Sequence, residues 1–255
     1  MSAGNSTNKT IDTAKIVEIA QAAARRYANL AGEAQNAAPI TTDIPTLIFP
    51  CKRDGTIRRS EQELRQLFIE ELKAVDKSFR PVFYAVEVPT SLRYTLGKST
   101  KDIHVYESNQ KAGRSASIDL TIFTADERRS KLERTWNIEF KLGNPEEHAV
   151  AKDVVKLARE PENGAFLQIL ENTDSKTWEN VFKKLSSAAC KMESLMSKGS
   201  GILLVAIATC EVSGKQPPIM IYREFKLPKD LAALKKQKEL RSLDEAQKKG
   251  WQLSE

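Results

Sequence analysis

The sequence predicts an α/β domain built on a mixed sheet, and three observations carry that prediction. Segments of helical and strand periodicity follow one another in the order helix, strands, helix, strand, helix, strands. Two runs, 117–123 (SIDLTIF) and 136–142 (WNIEFKL), alternate with the strand period of two. The run 201–210 (GILLVAIATC) is apolar throughout, which suits a central strand covered on both faces.

Each element has its own signal. Residues 11–35 are rich in Ala, with Ile16, Ile19, Ala23 and Tyr27 at helical spacing. A stretch bearing Pro and Thr, 38–50, reads as a linker or an extended lead-in strand. Ser60 reads as an N-cap, with Glu63 completing a capping box. The helix it opens runs to about residue 76 and buries Leu64, Leu67, Phe68, Leu72 and Val75. Pro81 precedes a strand at 82–88 (VFYAVEV), and the polar stretch 90–113 reads as a long loop or irregular hairpin. The two alternating runs are expected to be neighbouring strands separated by the charged turn 125–134. Then come a helix at 147–159, a strand at 165–170, a helix at 176–196, strands at 202–209 and 219–225, and a charged helix at 229–249. The expected organisation is an N-terminal helical extension and linker (1–45), a core (46–226) and a charged C-terminal helix (227–255).

Composition narrows the chemistry. Hydrophobic residues make up 40% of the 255, enough for a sizeable core. The longest apolar run is far short of the ~18 residues of a membrane helix. The N-terminal residues carry no apolar signal-peptide region, which argues against secretion. Cys51, Cys190 and Cys210 are widely spaced, which argues against a disulfide framework or zinc knuckle and fits a reducing cytoplasmic setting. Only His104 and His148 are present, so a His-rich metal site is excluded and the residue supply favours carboxylate and lysine chemistry. A net charge of +6 permits a polyanionic partner without requiring one. Gly97-Lys98-Ser99 copies the tail of a phosphate-binding loop, but the glycine that loop needs is Leu92 here.

The informative constellation is Asp119 in the first alternating run and Glu139-Phe140-Lys141 in the second. Asp is depleted in strands, so its place within an apolar alternation is unusual. Glu139 and Lys141 share one face of their strand. If the strands are antiparallel neighbours, Asp119 and Glu139 converge, and two ionised carboxylates repel unless a cation lies between them. A hard divalent ion would resolve that conflict. Acid-x-Lys by itself is weak: Glu71-x-Lys73, Asp174-x-Lys176 and Glu224-x-Lys226 also match. Only 139–141 follows an alternating strand that bears an acid. The plain alternative is a half-exposed sheet with ordinary polar residues on its wet face. Lys152, Lys156 and Arg159, at i, i+4 and i+7, lie opposite Val150, Val154, Leu157 and Ala158. Lys152 and Lys156 are candidate nucleic-acid contacts there, against the plainer reading of a solvated helix face.

SIDLTIF, the charged turn and WNIEFKLG together resemble the core of the PD-(D/E)xK, or restriction-endonuclease-like, nuclease superfamily over about residues 57–210. The literal Pro-Asp pair is absent, with Ile118 before Asp119. The resemblance implies a restriction-endonuclease-like core, a mixed central sheet flanked by helices, with extra N- and C-terminal helices. It implies Asp119 and Glu139 as ligands of Mg²⁺ or Mn²⁺ and Lys141 as the catalytic lysine. It also implies a further catalytic, metal-binding glutamate from the first core helix. Glu61 is the choice, since Glu61-Gln62-Glu63-Leu64 resembles the helix start of archaeal junction-resolving members; Glu63 and Glu71 stay open. The expected activity is metal-dependent phosphodiester hydrolysis, with DNA favoured over RNA, no membrane partner, and a homodimer left open. The second reading is a catalytically silent member acting as a nucleic-acid- or protein-binding module.

Overall fold

A computed structural model describes residues 10–36, 47–50, 52–55, 57–75, 82–125, 131–171, 173–195, 201–210 and 218–254. Most of the stretch expected as a linker, part of the turn at 125–134, and Cys51 lie outside them. Among the described residues the elements are α1 (Thr13–Asn36), α2 (Glu61–Lys73), β1 (Val82–Leu96), β2 (Ile103–Tyr106), β3 (Arg114–Ala125), β4 (Leu132–Leu142), α3 (Glu147–Arg159), β5 (Asn163–Leu170), α4 (Ser175–Glu193), β6 (Ile202–Thr209), β7 (Met220–Lys226), α5 (Leu231–Lys235), α6 (Leu243–Lys248) and β8 (Gln252–Ser254).

The strands form one mixed sheet in the order β2-β1-β3-β4-β5-β6-β7-β8. Its centre, β4-β5-β6, is parallel, and every other pairing is antiparallel. Parallel neighbours need crossover connections, and α3 and α4 supply them. The three parallel strands advance in one direction across the sheet, so a single crossover hand puts both helices on one face.

Strand alternation sorts the core into two layers. Leu120, Ile122, Ile138, Phe140, Leu167 and Ala206 face α1 and α2, while Phe166, Leu203, Val205 and Ile207 face α3 and α4. The apolar run in β6 is buried on both sides, as its composition requires. The helix expected as an N-terminal extension buries Ile16, Ile19, Ala23 and Tyr27 in the first layer. Gly164 at the start of β5 allows close packing on the second face: a Cβ there would lie 2.7 Å from Leu157 Cβ of α3. That approach seats α3 on β5, within reach of the neighbouring β4.

Three expectations change. The strand at 82–88 continues to Leu96, with a register shift between Pro89 and Arg93, and β2 pairs with its far half. Glu160, buried just past α3, holds that irregular stretch by accepting from the Ser91 and Leu92 amides at 2.7 and 3.1 Å and from Tyr94 Oη at 2.9 Å. The charged helix expected at 229–249 is two short helices and a 3₁₀ turn, because Leu231, Leu234, Leu240 and Ala246 face the core at spacings no single helix face would satisfy. Ser60 does open α2, but its hydroxyl donates to the Glu63 carboxylate rather than capping a backbone amide. Gly97-Lys98-Ser99 leads into a 3₁₀ turn, in which Ser99 and Asp102 cap each other.

Burial also separates two cysteines. Cys210 is enclosed at the end of β6, where burial pushes its thiol up to about 11, whereas Cys190 on α4 is exposed. Alkylation requires the thiolate. Iodoacetamide labelling at pH 8, followed by peptide mapping, should therefore modify Cys190 readily and Cys210 only after denaturation. Equal labelling of both in the folded protein would contradict this packing.

Candidate active site

The β3–β4 ladder pairs Thr121 with Asn137 and Leu120 with Ile138, where it ends. One further step in the same register sets Asp119 across from Glu139. Here the Asp119 side chain takes over as acceptor, with Oδ2 receiving the Phe140 amide at 2.9 Å. β4 remains fully paired with β5 through Leu142 on its other side. The gap where the ladder stops opens into a cleft of about 830 Å³, lined by Glu61, Asp119, Glu139, Lys141, Asp153 and Lys156 together with Lys152, Arg114 and residues around Tyr94.

Glu139 is only 1% exposed. A bare carboxylate at that depth would be strongly disfavoured, and the compensating charge comes from α3. Lys156 Nζ lies 2.5 Å from Glu139 Oε1 and 3.0 Å from Asp153 Oδ1, and it donates to the Ser117 carbonyl at 2.8 Å. Lys141 Nζ lies 2.8 Å from Asp153 Oδ2 and 3.2 Å from Glu61 Oε2, and it donates to the Phe140 carbonyl at 3.0 Å. A chain of charges therefore runs Glu139–Lys156–Asp153–Lys141–Glu61, from the sheet through α3 to the first turn of α2.

The electrostatic directions follow from this chain. Burial, then the neighbouring Asp153, pushes the Glu139 carboxyl well above the usual range, against the pull of Lys156. Asp153 is equally deep, but Lys156 and Lys141 outweigh its burial and hold its carboxyl low. Burial would depress both lysines, yet the acids around them raise both above the ordinary lysine value. Asp153 is thus the fixed anion of the network, and Glu139 is the acid under strain.

Asp119, Glu139, Lys141 and Glu61 therefore meet at one cleft. Of the other helix acids, Glu63 is engaged by Ser60, while Glu70 and Glu71 both pair with Arg26 of α1 at 2.5 and 2.8 Å. The competing Glu224-Phe225-Lys226 lies in β7, where Glu224 accepts from Thr13 at 2.7 Å and the Lys226 side chain is largely exposed.

The solvated face expected on α3 is corrected: Lys156 and Arg159 are buried, and only Lys152 keeps partial access to solvent. Lys156 points inward because Glu139 and Asp153 await it there, so it is not a surface phosphate contact. Sequence reasoning missed Asp153 altogether. Its signal was present: Asp153 falls three residues after Val150 and four before Leu157, on the apolar stripe of α3. An acid in that place is costly unless it is paired.

Among the described residues, no group of three or more His, Cys, Asp or Glu side chains is placed to hold a metal by itself. A Mg²⁺ ion does not demand one, since it binds through one or two carboxylates and completes its shell with water and substrate phosphate. Asp119 and Glu139 fit in kind: both offer hard oxygens to the cleft, and Glu139 already has a cation against it, the Lys156 ammonium. No family model matches the chain, and no curated protein or solved structure gives a match. Among the described residues, no helix is long and apolar enough to cross a membrane.

Proposed function

We propose that this chain is a metal-dependent nuclease with a restriction-endonuclease-like core, hydrolysing phosphodiester bonds, with DNA as the favoured substrate. The observation that carries the reading is the meeting of Asp119 from β3, Glu139 and Lys141 from β4, and Glu61 from α2 at a cleft opened by the end of the β3–β4 ladder. Asp119 and Glu139 would hold Mg²⁺ or Mn²⁺. Such an ion supplies a bound water of lowered pKa and offsets charge developing on the phosphate.

The chain's own residues do the rest. Lys141 is held by Asp153 and Glu61 with its ammonium fully charged, so it presents a fixed positive group where a scissile phosphate would lie. Glu61 is half exposed at the cleft mouth, where it can accept a proton or orient a water. Lys152 and Arg114 line the same cleft and would bind the flanking phosphates.

The silent-module reading has one observation in its favour: Glu139, Asp153 and Glu61 all have lysine partners. Incubation with linear, circular and single-stranded DNA and with RNA, in Mg²⁺, Mn²⁺ or EDTA, separates the two. Cleavage is expected in Mg²⁺ or Mn²⁺ and should vanish in EDTA. Asp119→Asn and Glu139→Gln should each lower the rate by at least about a hundredfold, equivalent to losing ~3 kcal/mol of transition-state stabilisation. Cleavage that survives EDTA would sink the proposal, and binding without cleavage in every metal would favour the silent module.

A further inference from the structure

We infer that Lys156 is an internal counter-cation that occupies the seat of the divalent ion, so that loading metal and withdrawing Lys156 from Glu139 are one event. The inference rests on the metal-dependent reading of the site and adds to it a residue that this reading does not require.

The geometry is that of a cation in a binding site. An ammonium has three donors. Those of Lys156 go to Glu139 Oε1 at 2.5 Å, Asp153 Oδ1 at 3.0 Å and the Ser117 carbonyl at 2.8 Å. Both acids are 1% exposed and Lys156 is 5% exposed, so water contributes little to neutralising this cluster. Ser117 lies on β3, two residues before Asp119, so the ammonium spans the same pair of strands that a shared metal would span. A divalent ion arriving at Glu139 meets a positive charge already in contact with that carboxylate, and two cations at such a separation repel strongly.

Lys156 has somewhere to go. It lines the cleft, and its four-carbon stem is flexible enough to swing the charge toward solvent beside Lys152. Asp153 is not left bare when it does so, because Lys141 still holds its other oxygen at 2.8 Å. The apparent metal affinity is thereby reduced by the fraction of molecules in which Lys156 remains seated. The exchange also leaves the cleft more positive than before, with the ion on the acids and the ammonium in the groove. Metal and polyanionic substrate should therefore favour each other's binding.

The test is Mn²⁺ binding by calorimetry on the full chain, in the native protein and in Lys156→Met, Lys156→Gln and Glu139→Gln. Both lysine variants should bind Mn²⁺ at least about tenfold more tightly than the native protein, and Glu139→Gln should lose the site. If Glu139→Gln loses binding but the lysine variants bind no better than native, Lys156 is not the competitor, although the metal reading stands. If no protein takes up Mn²⁺, the metal reading itself fails and the inference with it. Because loss of a buried charge can unfold the variants, the native protein provides a second measurement. Acetic anhydride labelling of Lys156, mapped by mass spectrometry, should rise several-fold at saturating Mn²⁺. Unchanged labelling with Mn²⁺ bound would overturn the exchange.

Discussion

Lys156→Met is expected to destabilise the metal-free protein by about 3–5 kcal/mol, the usual cost of removing one partner from a buried ion pair. Glu139 would be left under α3 with no compensating charge, facing Asp153, whose charge already pushes its carboxyl up. The same lysine on an open helix face would cost within about 0.5 kcal/mol, so the two placements differ by several-fold in effect. Urea unfolding followed by circular dichroism gives the value directly. Adding Glu139→Gln to the lysine variant should recover much of the loss, because the amide keeps the shape of the side chain and carries no charge. A coupling energy of about 1–3 kcal/mol between the two sites is expected. Additive effects would place Lys156 and Glu139 out of contact and refute the network.

Glu160→Ala is the second large effect, expected to cost about 3 kcal/mol. Its carboxylate is the acceptor for two amides and one phenol, at 2.7, 3.1 and 2.9 Å, and hydrogen bonds to a charged acceptor are the stronger kind. Without it the Ser91 and Leu92 amides lose a partner in a stretch where the β1–β3 ladder is interrupted. Burial, reinforced by Glu160, pushes the Tyr94 phenol above its ordinary value, so it stays a donor. Tyr94 also lines the cleft, and loosening its anchor should disturb the nucleic-acid binding proposed above as well as stability. Tyr94→Phe, made in the Glu160→Ala background, should cost little more, since its hydroxyl has by then lost its acceptor. Unfolding curves of the two single variants and the double variant measure this, and a Glu160→Ala protein as stable as the native one would contradict the anchoring role.

How much of this was readable in the sequence depends on the distance over which each residue is satisfied. Helix α3 and strand β6 fall where the sequence predicts, α3 because its apolar spacing repeats on one face and β6 because its unbroken apolar run needs cover on both. The pairing of Asp119 with the Glu139 strand was readable too, since two alternating runs joined by a polar turn make antiparallel neighbours. The continuation of β1 to Leu96 was not, because Pro89 breaks the pattern and the carboxylate that repairs it comes from Glu160, 69 and 68 residues beyond the amides it holds. Lys156 misled for a related reason. A lysine opposite an apolar stripe normally faces water, and here the close packing of α3 on β5 at Gly164, with Glu139 on the neighbouring β4, turns that face inward. The C-terminal charges disguised a series of short turns in the same way, since Lys-rich spacers separate the few apolar residues that anchor them.

The charge chain through the site has a kinetic side. Its links differ in the length of chain each must close: the Lys156–Glu139 pair spans 17 residues, and the neighbouring Asp119–Phe140 hydrogen bond 21, but the Lys141–Glu61 pair spans 80. Closure costs entropy that grows with loop length, and contacts of long sequence separation slow folding. The β4–α3–β5 unit can therefore assemble its lysines and acids as a local nucleus with β3, and α2 docks Glu61 onto a cluster already formed. By loop length, the Lys141–Glu61 pair at the mouth of the cleft is expected to be the last link of the charge chain to close during folding.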